Sequence, residues 1–157
     1  KGFRTLADLG IPTHLSPAGR LDYNSEGLIL LSNDGELINK IIHPKYHLPK
    51  YYEVKIQGIP TKEDILKIEG GIYIEQKKTR PIKVKIIKQT DKNSWLSLKL
   101  YEGRNRIIRK IFDKLGYAVL KLKRTQVANL KIGTLKAGDC RALTTREIEK
   151  LRNSIKG

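Results

Sequence analysis

Pro17-Ala18-Gly19-Arg20-Leu21-Asp22-Tyr23-Asn24-Ser25-Glu26-Gly27-Leu28-Ile29-Leu30-Leu31 runs from small residues through a cation, an anion and a polar loop into an apolar run. Leu28–Leu31 is short enough for a buried strand. Asp22 is then expected on a tight loop anchored against the core. Residues i and i+2 of an extended segment point to one side, so Arg20 and Asp22 can share a cleft. A carboxylate held beside a guanidinium stays ionised, which a carboxylate nucleophile requires. The plainer alternative is a surface ion pair of little energetic consequence.

Working outward, Lys1–Ser16 is short and irregular, broken by Pro12 and then Pro17. Asp34 offers an N-cap for a helix whose Leu37, Ile38, Ile41 and Ile42 share a face, and His43-Pro44 ends it. Tyr52, Val54 and Ile56 alternate with Glu53, Lys55 and Gln57, predicting a half-buried strand. Thr61 and Asp64 open a helix that Gly70-Gly71 stops. Ile82-Val84-Ile86 and Leu96-Leu98-Leu100 predict two more strands. Over Arg104–Leu115 the period becomes helical, with Ile107, Ile108, Ile111, Phe112 and Leu115 on one face. Strands follow at Leu120–Leu122 and within Val127–Leu135, and Thr144 with Glu147 forms a capping box for a final helix. The sum is one α+β domain over residues 1–157, with a mixed, mostly antiparallel sheet and two or three helices packed on it.

A chain of 157 residues, 39% hydrophobic and 31% charged, suits a single globular domain. It has no apolar run near the ~20 residues of a membrane span, so no membrane partner is expected. Cys140, the one cysteine, cannot form an internal disulfide. Lys plus Arg total 32 against 16 for Asp plus Glu, a net +16 that draws the chain to polyanions, nucleic acid first. An A/T-rich coding bias accounts for abundant lysine, but not for the arginines at 104–109.

His14, His43 and His47 lack metal-ligand spacing, and one cysteine cannot build a zinc site. No P-loop and no GxGxxG is present, so neither a metal nor a nucleotide cofactor is expected. What remains is Arg20 with Asp22, the pair Tyr51-Tyr52, and Glu102-Gly103-Arg104-Asn105-Arg106-Ile107-Ile108-Arg109-Lys110. Tyr52 can be a half-buried core aromatic or a ring that stacks on a base. Cations gathered at a helix start oppose the macrodipole, and an anion should offset them. The expected arrangement pairs Arg109 with Asp22 and leaves Arg104 and Arg106 facing RNA.

The four segments Gly19–Leu28, Ser32-Asn33-Asp34-Gly35, Lys50-Tyr51-Tyr52-Glu53-Val54 and Glu102–Lys110 occur in this order. Together they resemble the RsuA/RluB/RluE/RluF family of pseudouridine synthases, most closely its RluB branch. The likeness continues through Leu120-Lys121-Leu122-Lys123-Arg124 and Leu135-Lys136-Ala137-Gly138 to Leu143-Thr144. It implies a pseudouridine synthase-like fold and isomerisation of a uridine in ribosomal RNA, that of the large subunit, without metal or cofactor. Asp22 matches the family's catalytic aspartate, Tyr52 the tyrosine packed on the flipped base, and Arg109 the basic residue paired with the aspartate. Arg20 is similar to the arginine that holds the RNA open, and Lys50, Arg104, Arg106, Lys110 and Arg124 are the further cations expected to contact RNA. Ile107 stands where the family usually has glutamine. The resemblance further implies a catalytic fragment, with an S4-like RNA-binding domain, a linker and a first strand preceding it.

The partner implied is ribosomal RNA or a ribosomal particle, met by a monomer in a bacterial cytoplasm or an organelle. A non-catalytic RNA-binding or ribosome-assembly module is the alternative, favoured by the +16 charge and by Ile107. A hydrolytic nucleosidase would need a second carboxylate, for which Glu26 is the near candidate.

Overall fold

The computed structural model describes residues 10–12 and 14–156. The irregular start expected over Lys1–Ser16 lies mostly outside them. The elements are β1 (Ser16–Pro17), β2 (Glu26–Gly27), β3 (Leu31–Ser32), α1 (Gly35–Ile42), a 3-10 turn at Pro44–Tyr46, and β4 (Lys50–Gln57). There follow α2 (Lys62–Gly70), β5 (Tyr73–Ile74), β6 (Lys77–Lys78), β7 (Lys83–Gln89) and β8 (Asn93–Leu100). The last are α3 (Ile107–Leu115), β9 (Val119–Val127), β10 (Leu130–Lys131) and α4 (Thr145–Ser154).

The central sheet runs β10-β9-β4-β8-β7, antiparallel throughout, and β2 adds to β9 in parallel. Its core face follows from strict alternation. In β8, Ser94, Leu96, Leu98 and Leu100 are buried while Trp95, Ser97 and Lys99 face the other way. Val54 and Ile56 from β4 join them, and α2 and α3 close this layer with Ile68, Ile107, Ile108, Ile111 and Phe112. A second cluster gathers Ile41 of α1, Leu48, Val127, Leu130, and Leu151 with Ile155 at α4. So two helices cover the sheet and two surround its far end.

The expected caps form. Asp34 Oδ1 accepts from Leu37 N at 3.1 Å, Thr61 Oγ1 from Asp64 N at 3.1 Å, and Thr144 and Glu147 complete a capping box.

Two expectations are corrected. Leu28–Leu31 is not one buried strand. Its flanks pair with different partners, β2 with β9 and β3 with β1, so the chain between them crosses from one sheet to another. The helix expected from Arg104 begins at Ile107, because Arg106 has φ 54°, a left-handed conformation that a helix cannot continue through.

Candidate active site

The loop bearing Asp22 is fixed at both ends. On one side Ser16 pairs with Ser32, Pro17 pairs with Leu31, and Ala18 N donates to Leu30 O at 2.8 Å. On the other, Leu28 N donates to Arg124 O at 2.8 Å, and Arg124 Nε returns a bond to Leu28 O at 2.9 Å. Gly27 permits this approach. A Cβ there would sit 2.2 Å from Arg124 O, and its φ of 119° suits only glycine. Within the loop, Ser25 N donates to Asp22 O at 2.9 Å and closes a tight turn.

This turn stands over a cavity of about 370 Å³. Arg20, Asp22 and Ser25 line it from the loop, Lys50 and Tyr52 from β4, Arg124 from β9, and Arg106 from the approach to α3. Ile107, Ile108, Leu122 and Val127 supply apolar wall. The Asp22 side chain is 24% exposed. It is therefore neither in open solvent nor sealed.

β4 and β9 are out of register beside the cavity. Tyr51 pairs with Gln126 but Tyr52 with Arg124, so Thr125 is an extra residue in β9. Such a bulge re-aims neighbouring side chains. Tyr52 packs against the sheet–helix core while reaching the cavity.

The cations divide into two groups. Lys50 and Arg124 lie in the cavity with no carboxylate partner among the described residues. Arg124 is 5% exposed. Loss of water around Lys50, and then repulsion from Arg124, hold the Lys50 ammonium below its usual pKa. Two crowded, poorly hydrated cations are a receptor for an anion. Arg20 also faces this space.

Arg104 and Lys110 are engaged within the chain. Arg104 donates to Glu102 Oε1 at 3.1 Å, to Ile74 O at 3.1 Å and to Lys77 O at 3.2 Å, tying the β5–β6 hairpin to the loop before α3. Lys110 pairs with Glu75 at 2.8 Å. Arg104 nonetheless lines the Asp22 cavity, and its three bonds leave two N–H donors for a ligand, whereas Lys110 lies off that cavity.

The ion pair expected between Arg109 and Asp22 is likewise corrected. Arg106 Nη1 is the cation near the carboxylate, 3.9 Å from Asp22 Oδ2. Arg109 Nη2 instead donates to Asn24 O at 2.8 Å. Arg109 projects from the first turn of α3, so it reaches the backbone of the turn. Arg106, released from the helix by its left-handed φ, reaches the acid.

Sequence reading did not single out Ser25, whose buried Oγ lines the cavity and has no hydrogen-bond partner. Its place inside the polar loop was the available signal. Ile107 is 6% exposed and gives the cavity an apolar surface at that position. Among the described residues no group of three or more His, Cys, Asp and Glu could hold a metal ion.

Residues 5–114 match the protein family described as "RNA pseudouridylate synthase". The chain is 45% identical over 156 residues to "Ribosomal large subunit pseudouridine synthase B" of Bacillus subtilis (strain 168), covering 97% of this chain and 64% of that one. It is 32% identical over 147 residues to "Ribosomal large subunit pseudouridine synthase E" of Xanthomonas axonopodis pv. citri (strain 306), covering 84% and 77% respectively. The solved "Crystal structure of pseudouridylate synthase" superimposes with a TM-score of 0.81 at 34% identity, over 88% of this chain and 60% of that chain. The chain thus spans 64% of the length of the first of these relatives.

Proposed function

The chain belongs to the RNA pseudouridylate synthase family, and from that premise we propose that it isomerises a uridine of large-subunit ribosomal RNA to pseudouridine, with Asp22 as nucleophile. The observation that carries this is the placement of Asp22 at the rim of a cavity shared by a half-buried tyrosine and two cations, Lys50 and Arg124, that have no carboxylate partner among the described residues.

A uridine within folded RNA must be flipped out before its ribose can be reached, at a cost of a few kcal/mol of unstacking. Contacts from Lys50 and Arg124 to phosphate offset that cost, and Arg20 at the loop holds the opened strand. Tyr52 packs on the extruded base, a contact worth roughly 1–3 kcal/mol. The Asp22 carboxylate attacks the ribose C1′, and the C1′–N1 bond breaks to release the uracil anion. The base turns within the cavity and bonds to C1′ through C5, expelling Asp22. The C5 proton leaves by way of Tyr52 or solvent, and N1 takes up a proton. No atom is gained or lost and nothing is oxidised, so the reaction needs no cofactor. Arg106 steadies the carboxylate from the cavity wall, while Arg109 holds the turn that carries it.

On this reading the chain acts as a monomer. The bacterial relatives support a cytoplasmic setting. Among the described residues no helix is long and apolar enough to cross a membrane.

The test is incubation with a large-subunit rRNA transcript, followed by nucleoside analysis. Pseudouridine at a defined uridine is the expected product. Free uracil would indicate a hydrolase instead, and tight binding without either product would indicate a non-catalytic RNA-binding module.

A further inference from the structure

Helices α2 and α3 pack on one face of the central sheet. The other face carries a pattern that the Asp22 cavity does not use. Lys121, Lys55, Trp95 and Lys88 stand side by side across β9, β4, β8 and β7. Two pairs further along β4 and β8, Tyr51, Lys99 and Lys83 form a parallel row. Between them Lys123 and Lys85 flank Glu53 and Ser97.

These positions hold rings and ammonium groups together. Trp95 has Lys55 Nζ at 5.0 Å and Lys88 Nζ at 4.9 Å from its ring centroid. Lys99 Nζ lies 5.4 Å from the Tyr51 centroid and 5.2 Å from that of Tyr101. Cation–π contacts account for part of this. Lys121 also meets Glu26 at 3.3 Å at the edge of the face.

The charge placement is unfavourable for the chain alone. Lys55 is directly opposite Lys121, and Lys83 directly opposite Lys99. Like charges in register across strands repel. A bound polyanion removes that repulsion, and Glu53 is the one acid in the three rows. A lipid surface or an acidic polypeptide would answer the charge alone. The two aromatic positions among the lysines fit bases as well as phosphates, the combination used to track single-stranded nucleic acid.

We propose that this outer sheet face is a second RNA-binding surface, which takes a single-stranded segment with its phosphates on the lysine rows and a base against Trp95. The surface lies across the sheet from Asp22 and does not depend on its chemistry.

Trp95 is the chain's one tryptophan, so its fluorescence reports this face alone. The chain is titrated with a short unstructured RNA, and fluorescence anisotropy of the labelled RNA follows binding in parallel. Trp95 emission should be quenched in step with binding, and Asp22→Asn should show the same quench. The triple variant Lys55→Gln, Lys85→Gln, Lys88→Gln should bind at least about tenfold more weakly, and its log–log salt slope should be shallower by roughly 2. Its thermal unfolding is measured alongside. A folded variant with wild-type affinity and slope would overturn the proposal, as would RNA saturation without quenching. Quenching by polyglutamate or anionic vesicles that RNA cannot displace would overturn it too and assign the face to those partners.

Discussion

Arg109 donates from Nη2 to the backbone carbonyl of Asn24 at 2.8 Å, so α3 grips the turn that carries Asp22 without touching the carboxylate. Arg109 Nε is buried and has no partner, which shows how closely the guanidinium is packed behind the loop.

Arg109 is therefore a positioning residue, and its loss should be felt in turnover. Arg109→Ala should lower kcat by about a hundredfold, the scale of an ångström-sized misplacement, with KM little changed and Tm reduced. Arg106→Ala should do the reverse. Its 3.9 Å ion pair, 45% exposed on the arginine side, is weak, so KM for RNA should rise more than kcat falls. Steady-state kinetics on an rRNA fragment separate the two. Equal losses in kcat for both variants would contradict this division of roles.

Gly27 is the joint between the loop and the sheet. Gly27→Ala places a Cβ 2.2 Å from the Arg124 carbonyl oxygen and forces a side chain into φ 119°. The two-residue pairing of β2 with β9 should come apart, with activity lost and amide protection at Leu28 lost with it. Gly35→Ala is the control, since a Cβ at that position meets nothing within 4 Å. It should fold and unfold as the parent does. Hydrogen exchange read by NMR checks both.

Much of this frame is legible from the sequence because it is local. The alternation in β4 and β8, the apolar face of α3 and the three side-chain caps depend only on residues a few places apart. The loop's anchorage is not local. The Leu28–Arg124 bonds join residues 96 apart, and nothing near Leu28 says that its flanks will pair with two different strands. For the same reason Arg104 reads as a free cation, although its partners at Ile74 and Lys77 come from a hairpin about thirty positions earlier. The exchange of Arg106 for Arg109 beside Asp22 follows from one left-handed residue before α3, a backbone choice that an arginine does not advertise.

Acid stability should report on the last helix. Arg141 meets both oxygens of Glu147 at 2.8 Å, and this contact, with the Thr144 backbone bond, lowers the Glu147 pKa from 4.5 to about 2. A depressed carboxylate pKa contributes stability above the unfolded value, and that contribution is lost as pH falls through the folded one. Glu147→Gln should therefore lower Tm at neutral pH. The difference from wild type should shrink from pH 4.5 downward and vanish near pH 2. Calorimetry across that range checks it, and a difference independent of pH would remove the Arg141–Glu147 pair as its source.

Release of tritium from an rRNA fragment carrying 5-tritiated uridine reads the chemistry at its defining step, because C5 loses its hydrogen only when it becomes the carbon bonded to ribose. The wild-type chain should release tritium in proportion to pseudouridine formed, and Asp22→Asn, folded and still binding RNA, should release it at least about a thousandfold more slowly. Undiminished release from Asp22→Asn would take the carboxylate out of the reaction and leave the cavity without its proposed nucleophile.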